Sequence, residues 1–169
     1  MLNAALDFHA PIAIAGHGSL SGYRGFNAWK EELMRRGITE DRIVGIEGSI
    51  VTINGKEMIN TLSEMVAVAA YAKARGIRRV VGVAPEWHIL RAFIGAATVA
   101  ERDYPELKLY PYFGRQLRWD EGAVHSQGTL TGKRTDFIFA ETVRIYEYHA
   151  KGDLMDPEKV IEYMDRRGA

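Results

Sequence analysis

Short apolar runs of β type alternate along this chain with longer segments of helical period, and that alternation is the signature of an α/β layer fold. The first run, Pro11-Ile12-Ala13-Ile14-Ala15, is apolar on both faces and stops at Gly16, as a buried parallel strand does. After a glycine-rich turn, residues 26–36 place Phe26, Trp29 and Leu33 on one face and set Glu31 against Arg35 and Glu32 against Arg36. Gly37 ends that amphipathic helix. Residues 42–47 read as a second strand, and residues 48–55 as a hairpin arm or active-site loop closing on an Asn54-Gly55 turn. The stripe Met58, Leu62, Met65, Val66 and Ala69 predicts a helix over 57–75, capped by Gly76. A third strand over 79–84 leads through Pro85 into a helix from Glu86 or Trp87 to about Arg102, with Trp87, Leu90, Ile94 and Ala97 sharing a face. Residues 107–110 form a fourth strand.

Between Pro111 and Arg134 the periodicity fails, which predicts one long glycine-bearing loop over 111–134. Helical period returns over 135–151, with Phe139, Val143 and Tyr146 expected inward. Asp156-Pro157-Glu158 opens a last short helix over 157–167. The expected order is therefore β-α-β-α-β-α-β-loop-α-α. Right-handed crossovers would place the helices on both faces of a mainly parallel sheet of four to five strands, a Rossmann-like three-layer sandwich. With 169 residues the chain is long enough to bury roughly two-thirds of its unfolded surface as a single α/β domain over 1–169.

Charge narrows the function classes. Lys plus Arg and Asp plus Glu number 22 each, so no basic excess draws the chain to a nucleic acid backbone or an anionic membrane, and neither is expected as a partner. The amino-terminal Met-Leu-Asn-Ala-Ala-Leu-Asp-Phe-His lacks the basic start and apolar core of a signal peptide, and no apolar run approaches the roughly 18 residues of a membrane span. There is no cysteine, which excludes disulfides, thiolate nucleophiles and Cys-ligated zinc. These features lead to the expectation of a cytoplasmic protein.

In parallel sheets ligands bind at the carboxyl ends of the strands, so polar residues there are the candidates. After the first strand stands Gly16-His17-Gly18-Ser19, with Ser21, Gly22 and Gly25 behind it, where backbone N–H groups could cradle a phosphate or carboxylate. The spacing is neither the dinucleotide fingerprint nor a Walker loop, and tight turning alone would account for it. Glu47-Gly48-Ser49 ends the second strand, where Glu47 could accept ribose hydroxyls or simply be solvated. Asn60 and Thr61 are poor mid-helix residues, so either the helix begins there or those side chains are held by something. The richest stretch is Pro85-Glu86-Trp87-His88-Ile89-Leu90-Arg91-Ala92, which turns a strand end into a helix. It presents Glu86, His88 and Arg91 as candidate catalytic residues, with a base next to a fixed cation. His9 and His149 read as structural or surface residues, and His125 as a loop residue that is solvated or delivered by a lid. No His-x-x-x-His pair supports a metal site and no Gly-x-Ser-x-Gly elbow a serine nucleophile.

The strand Arg79-Val80-Val81-Gly82-Val83-Ala84, followed by Trp87-His88-x-x-Arg91-Ala92, resembles the strand and aromatic-His-x-x-Arg-Ala motif of the YdcF/SanA/ElyC-like family of bacterial domains. Asn60-Thr61 resembles that family's Asn-Thr-x-Glu-Asn element, and Glu141-Thr142-Val143-Arg144-Ile145-Tyr146-Glu147-Tyr148 resembles its closing Glu-x-x-Lys-x-x-Tyr-Tyr helix. The chain departs from the pattern with Gly-His-Gly-Ser in place of three glycines, and with Leu62-Ser63-Glu64 after Asn-Thr; the family's Ser-Gly-Gly unit has no counterpart. The resemblance implies a Rossmann-like fold with a polar pocket at the strand ends, and S-adenosylmethionine as a ligand of its cytoplasmic members.

The functional expectation is a domain that binds a small anionic or nucleotide-type ligand, S-adenosylmethionine among the candidates, with transfer or hydrolysis as the candidate chemistry. Gly16, His17, Gly18, Ser19, Glu47, Ser49, Asn60 and Thr61 would bind, and His88, Glu86 and Arg91 would react. The alternative is a regulatory or scaffold domain with a vestigial pocket, self-associating through aromatics such as Tyr110, Tyr112, Phe113 and Trp119.

Overall fold

The structure, a computed structural model, describes residues 2–19, 24–53, 55–124 and 131–168. After α1 (Leu2–Asp7), the apolar run β1 (Ile12–Ala15) pairs in parallel with β2 (Ile43–Ile46), Ile12 opposite Ile43 and Ala15 opposite Ile46. The crossover between them is α2 (Phe26–Arg35), whose Leu33 is buried with Ala5, Ile14, Ile38 and Ile43 while Phe26 and Trp29 cover the edge. The face expected from periodicity is the face that packs. Arg42 ties α1 to this unit by donating to the carbonyl oxygens of Ala5, Phe8 and Ala10 at 2.6–3.4 Å.

A hairpin follows, β3 (Ile50–Ile53) antiparallel to β4 (Lys56–Ile59), and then α3 (Thr61–Ala74). The second parallel pair joins β5 (Arg79–Val83) to β6 (Lys108–Tyr112) across α4 (Ile89–Asp103). The larger core lies here, where Ala69 and Ala72 of α3, Phe93, Ala97, Val99 and Ala100 of α4, and Leu107 and Leu109 close on one another. A second hairpin, β7 (Gly122–Val124) with β8 (Thr131–Lys133), precedes α5 (Arg134–Ala150) and α6 (Pro157–Gly168). Tyr163 of α6 pins that helix to β6, its hydroxyl donating to the carbonyl of Leu107 at 2.7 Å and accepting from the N–H of Leu109 at 2.9 Å.

The chain is therefore mixed α/β, with six α-helices among the described residues. Its strands pair two by two, however, and the described residues do not form one hydrogen-bonded sheet of four to five strands. Several local expectations are also corrected. Residues 56–59 are a strand because they pair with β3, and the helix starts only at Thr61. The helix after Pro85 starts at Ile89, because Pro85 accepts from the N–H groups of both His88 and Ile89 in a preceding turn. The segment 111–134 contains the β7–β8 hairpin rather than being loop throughout. α5 is rotated from the expected face: Phe137 and Glu141 are buried, while Phe139 and Tyr146 are 78% and 73% exposed. Apolar residues line both sides of that helix, so hydrophobicity alone could not choose between them. Ser21, Gly22, Asn54 and His125 lie outside the described residues.

Candidate functional site

Three stretches far apart in sequence meet around one buried guanidinium. Arg91, 7% exposed, projects from the first turn of α4, and Glu141, 3% exposed, from the middle of α5. Arg91 Nε donates to Glu141 Oε2 at 2.7 Å and Nη2 to Oε1 at 3.2 Å, the two-pronged geometry that suits a guanidinium to a carboxylate. Arg91 Nη1 donates to Thr61 Oγ1 at 3.1 Å, which brings in the first residue of α3. Arg144, one turn on from Glu141, donates from Nη1 to Oε1 at 2.7 Å. His88 Nδ1 stands 2.7 Å from Glu141 Oε2 and 3.1 Å from Arg91 Nη2. An ionised Glu141 can only accept, so His88 presents its Nδ1–H to that carboxylate.

Burial by itself would raise the Glu141 pKa. The hydrogen bonds from His88 and Arg91, with their charges, outweigh it and hold the carboxyl well below the usual range. Glu64, one turn along α3 from Thr61, is in the opposite condition. Burial pushes its carboxyl up to about 7 against the opposing pull of the Arg91 charge. Two carboxylates that both feel the Arg91 charge are thus driven apart in pKa, and such splitting is a common mark of sites built to handle charge.

Next to the cluster lies a cavity of about 150 Å³ lined by Asn60, Thr61, Leu62, Arg91, Gly95, Arg144, Tyr148, Asp153 and Leu154. Local folding places each wall. Asn60 caps α3 reciprocally: its Oδ1 accepts from the Ser63 N–H at 2.9 Å, and Ser63 Oγ accepts from the Asn60 N–H at 3.1 Å. Of the two readings of Asn60-Thr61, the helix start is realised, and both residues still face the cavity. At its other end α5 closes in a Schellman turn: Gly152, at φ 80°, donates to His149 at 2.9 Å and Asp153 donates to Tyr148 at 2.9 Å. That reversal folds Asp153 and Leu154 back onto the helix beside Tyr148.

The other expected residues lie elsewhere. Glu86 turns to the segment before β7, its Oε1 accepting from the Leu117 N–H at 3.2 Å. Gly16 continues the β1–β2 pairing by donating to the carbonyl of Ile46 at 2.7 Å, and a Cβ there would meet Glu47 Oε1 at 2.7 Å. The Glu47 carboxylate therefore lies against Gly16. His17 is buried, with Nδ1 2.7 Å from the carbonyl oxygen of Gly18, and Ser49 is buried as well, while Gly18 and Ser19 are exposed. Gly25, at φ 88°, passes so close to Gly18 and Ser19 that a Cβ would lie 2.9 Å from their backbone atoms, so close approach and a positive φ both require glycine.

The cavity does not open at the ends of β1 and β2. It lies between the amino terminus of α3, α4 and the second half of α5, and His88 is not among its lining residues. Glu141, Arg144, Tyr148, Asp153 and Glu64 were not singled out by the residue pattern, although Glu141, Arg144 and Tyr148 sit in the helix quoted for the family resemblance and Glu64 in the segment quoted as departing from it. The available signal was a Glu and an Arg at i,i+3 in a helix bearing apolar residues on both sides. Among the described residues no group of three or more His, Asp or Glu could hold a metal ion, and no helix is long and apolar enough to cross a membrane. Compared with protein-family models, with curated proteins and with solved structures, the chain matches none.

Proposed function

We propose that this chain binds a small anionic ligand, or the anionic group of a nucleotide-type molecule, in the cavity between α3, α4 and α5. The carrying observation is that the guanidinium groups of Arg91 and Arg144 line one cavity together with the hydrogen-bonding side chains of Asn60 and Thr61. Glu141 accepts from both guanidinium groups and fixes them at the cavity wall. At about 150 Å³ the enclosed space is below the ~300–1,000 Å³ of pockets that engulf drug-sized ligands, so it takes a charged head group of few atoms. Transfer or hydrolysis is the chemistry we propose for the site. We further propose that the two parallel strand pairs belong to one doubly wound layout and that the protein works in the cytoplasm.

The test is a thermal-shift series with inorganic phosphate, acetate, ATP, a sugar phosphate and S-adenosylmethionine. A ligand at 100 times its dissociation constant stabilises by about 2.7 kcal/mol, and a chain of this size shifts by roughly 2–4 °C per kcal/mol. A rise of at least about 5 °C with one of them, lost in Arg144→Gln, is the expected result. No shift with any of the five removes the reading.

One observation favours a second reading, that the chain self-associates as a scaffold. Of the aromatics expected to make contacts, Tyr112 hydrogen-bonds Asp7 and Tyr110 lies under the guanidinium of Arg167, so only Phe113 is largely exposed. The bare apolar surface is instead on α5, at Phe139 and Tyr146. A dimer seen by light scattering and dissolved by Phe139→Ser with Tyr146→Ser supports self-association. A concentration-independent monomer eliminates it.

A further inference from the structure

The bare side of α5 has a pattern of its own. Asp136, Phe139, Val143, Tyr146 and Ala150 follow one another at steps of three, four, three and four residues, and all five are exposed. Alternating steps of three and four keep side chains in one narrow seam along a helix, the seam through which two helices pack knob into hole. The opposite side of the same helix is spent on the fold, with Phe137 and Glu141 buried and Tyr148 lining the cavity. α5 therefore has an inner face that builds the ion cluster and an outer seam left to solvent.

The seam is complementary to itself turned end for end. Phe139 and Tyr146 stand on either side of its middle, with the smaller Ala140, Thr142 and Val143 between them. When two antiparallel copies are staggered so that Phe139 packs on Val143 of the second copy, exposed Lys133 meets exposed Glu147 of the second copy. The same stagger brings the Tyr146 hydroxyl to Asp136 of the second copy, a carboxylate whose Oδ2 accepts the Lys133 N–H at 2.8 Å and whose other oxygen is left for it. A parallel pair would instead set Asp136 on Asp136 inside the seam and hold Lys133 and Glu147 a helix-length apart. Burying a Phe or Tyr covers about 150–250 Å², so four largely exposed rings with their flanks approach the ~1,200 Å² at the lower end of specific interfaces. We propose that α5 is a homodimerisation helix, two copies pairing antiparallel about a two-fold axis that passes beside Ala140 and Thr142. The proposal rests on the self-association reading above and specifies its surface and direction.

Sedimentation equilibrium of the full chain, joined to maleimide crosslinking of single-cysteine variants, tests it. The chain has no cysteine of its own, so each introduced thiol reports one position. Phe139→Ser, at an exposed position, should weaken the dimer about ten-fold or more while leaving the melting temperature of the monomer unchanged. A short bifunctional maleimide should join Thr142→Cys to its mate beside the axis. It should not join Thr135→Cys, whose mate lies roughly 18 Å away along the helix. Lys133→Glu and Glu147→Lys should each weaken the pair about three-fold at low salt, and the double variant should recover it. A dimer in which both cysteines crosslink is parallel, one that survives Phe139→Ser uses another surface, and a double variant no better than the singles has a different stagger. Each of those results overturns the antiparallel seam while self-association stands. A concentration-independent monomer removes both.

Discussion

Arg91→Met is expected to lower folding stability by about 3–5 kcal/mol, one of the two largest effects anticipated for a single substitution in this chain. The substitution keeps most of the aliphatic stem and deletes the guanidinium, so the loss is electrostatic rather than a cavity. Glu141 is left buried without its two-pronged partner, although His88 and Arg144 still reach it, and Thr61 loses the Arg91 donor. A buried ion pair contributes little net stability against an apolar pair of similar volume, whereas breaking it from one side strands a charge in a poorly solvating place. The double substitution Arg91→Met with Glu141→Leu should therefore recover a substantial part of what Arg91→Met loses. Urea unfolding of the four proteins in the cycle measures this directly. A cost below about 1 kcal/mol for Arg91→Met, or a double variant as unstable as the sum of the singles, would sink the account. It also follows that Arg91 is a poor probe of ligand binding, since its loss changes the fold, whereas the more exposed Arg144 is a usable one.

How much of this arrangement the sequence displayed varies with what each residue needs. The helical stripe of α2 reads correctly because one face is apolar and the other is charged. The strand ends at Ile46 and Val83 were legible because glycine or proline soon follows the apolar runs. α5 was misread because Phe137, Ile145 and Tyr148 compete with Phe139, Val143 and Tyr146, and the winner is decided by a charge. Glu141 is drawn inward by Arg91, and that partner is 50 residues away, beyond any local pattern. His88 and Arg91 could be singled out because they open a helix after a strand; their carboxylate could not. The hairpin at β4 was hidden for a related reason, since Lys56 and Glu57 are good helix formers whose conformation is set by pairing with β3.

Glu64 gives the second large effect, and its sign is opposite to that of an ordinary ion-paired carboxylate. Its pKa in the fold is raised to about 7, against about 4.5 in the unfolded chain. Between those values the native state binds more protons than the unfolded state, so stability falls as pH rises from about 4.5 to about 7 and levels off above that. At 1.36 kcal/mol per pKa unit, the full loss reaches up to about 3 kcal/mol. Glu141 acts the other way, since a carboxyl held below its usual range contributes stability that is lost as pH falls through the acid range. The two together favour mildly acidic pH, with Glu64 lowering stability on the alkaline side of that range. Glu64→Gln keeps the shape and removes the ionisation. It should match the native protein near pH 4.5, exceed it by up to about 3 kcal/mol at pH 8, and flatten the fall between them, as read from urea unfolding across pH. An unchanged slope in the variant would show that Glu64 is solvated in the fold and that the Arg91 cluster has one buried carboxylate, not two.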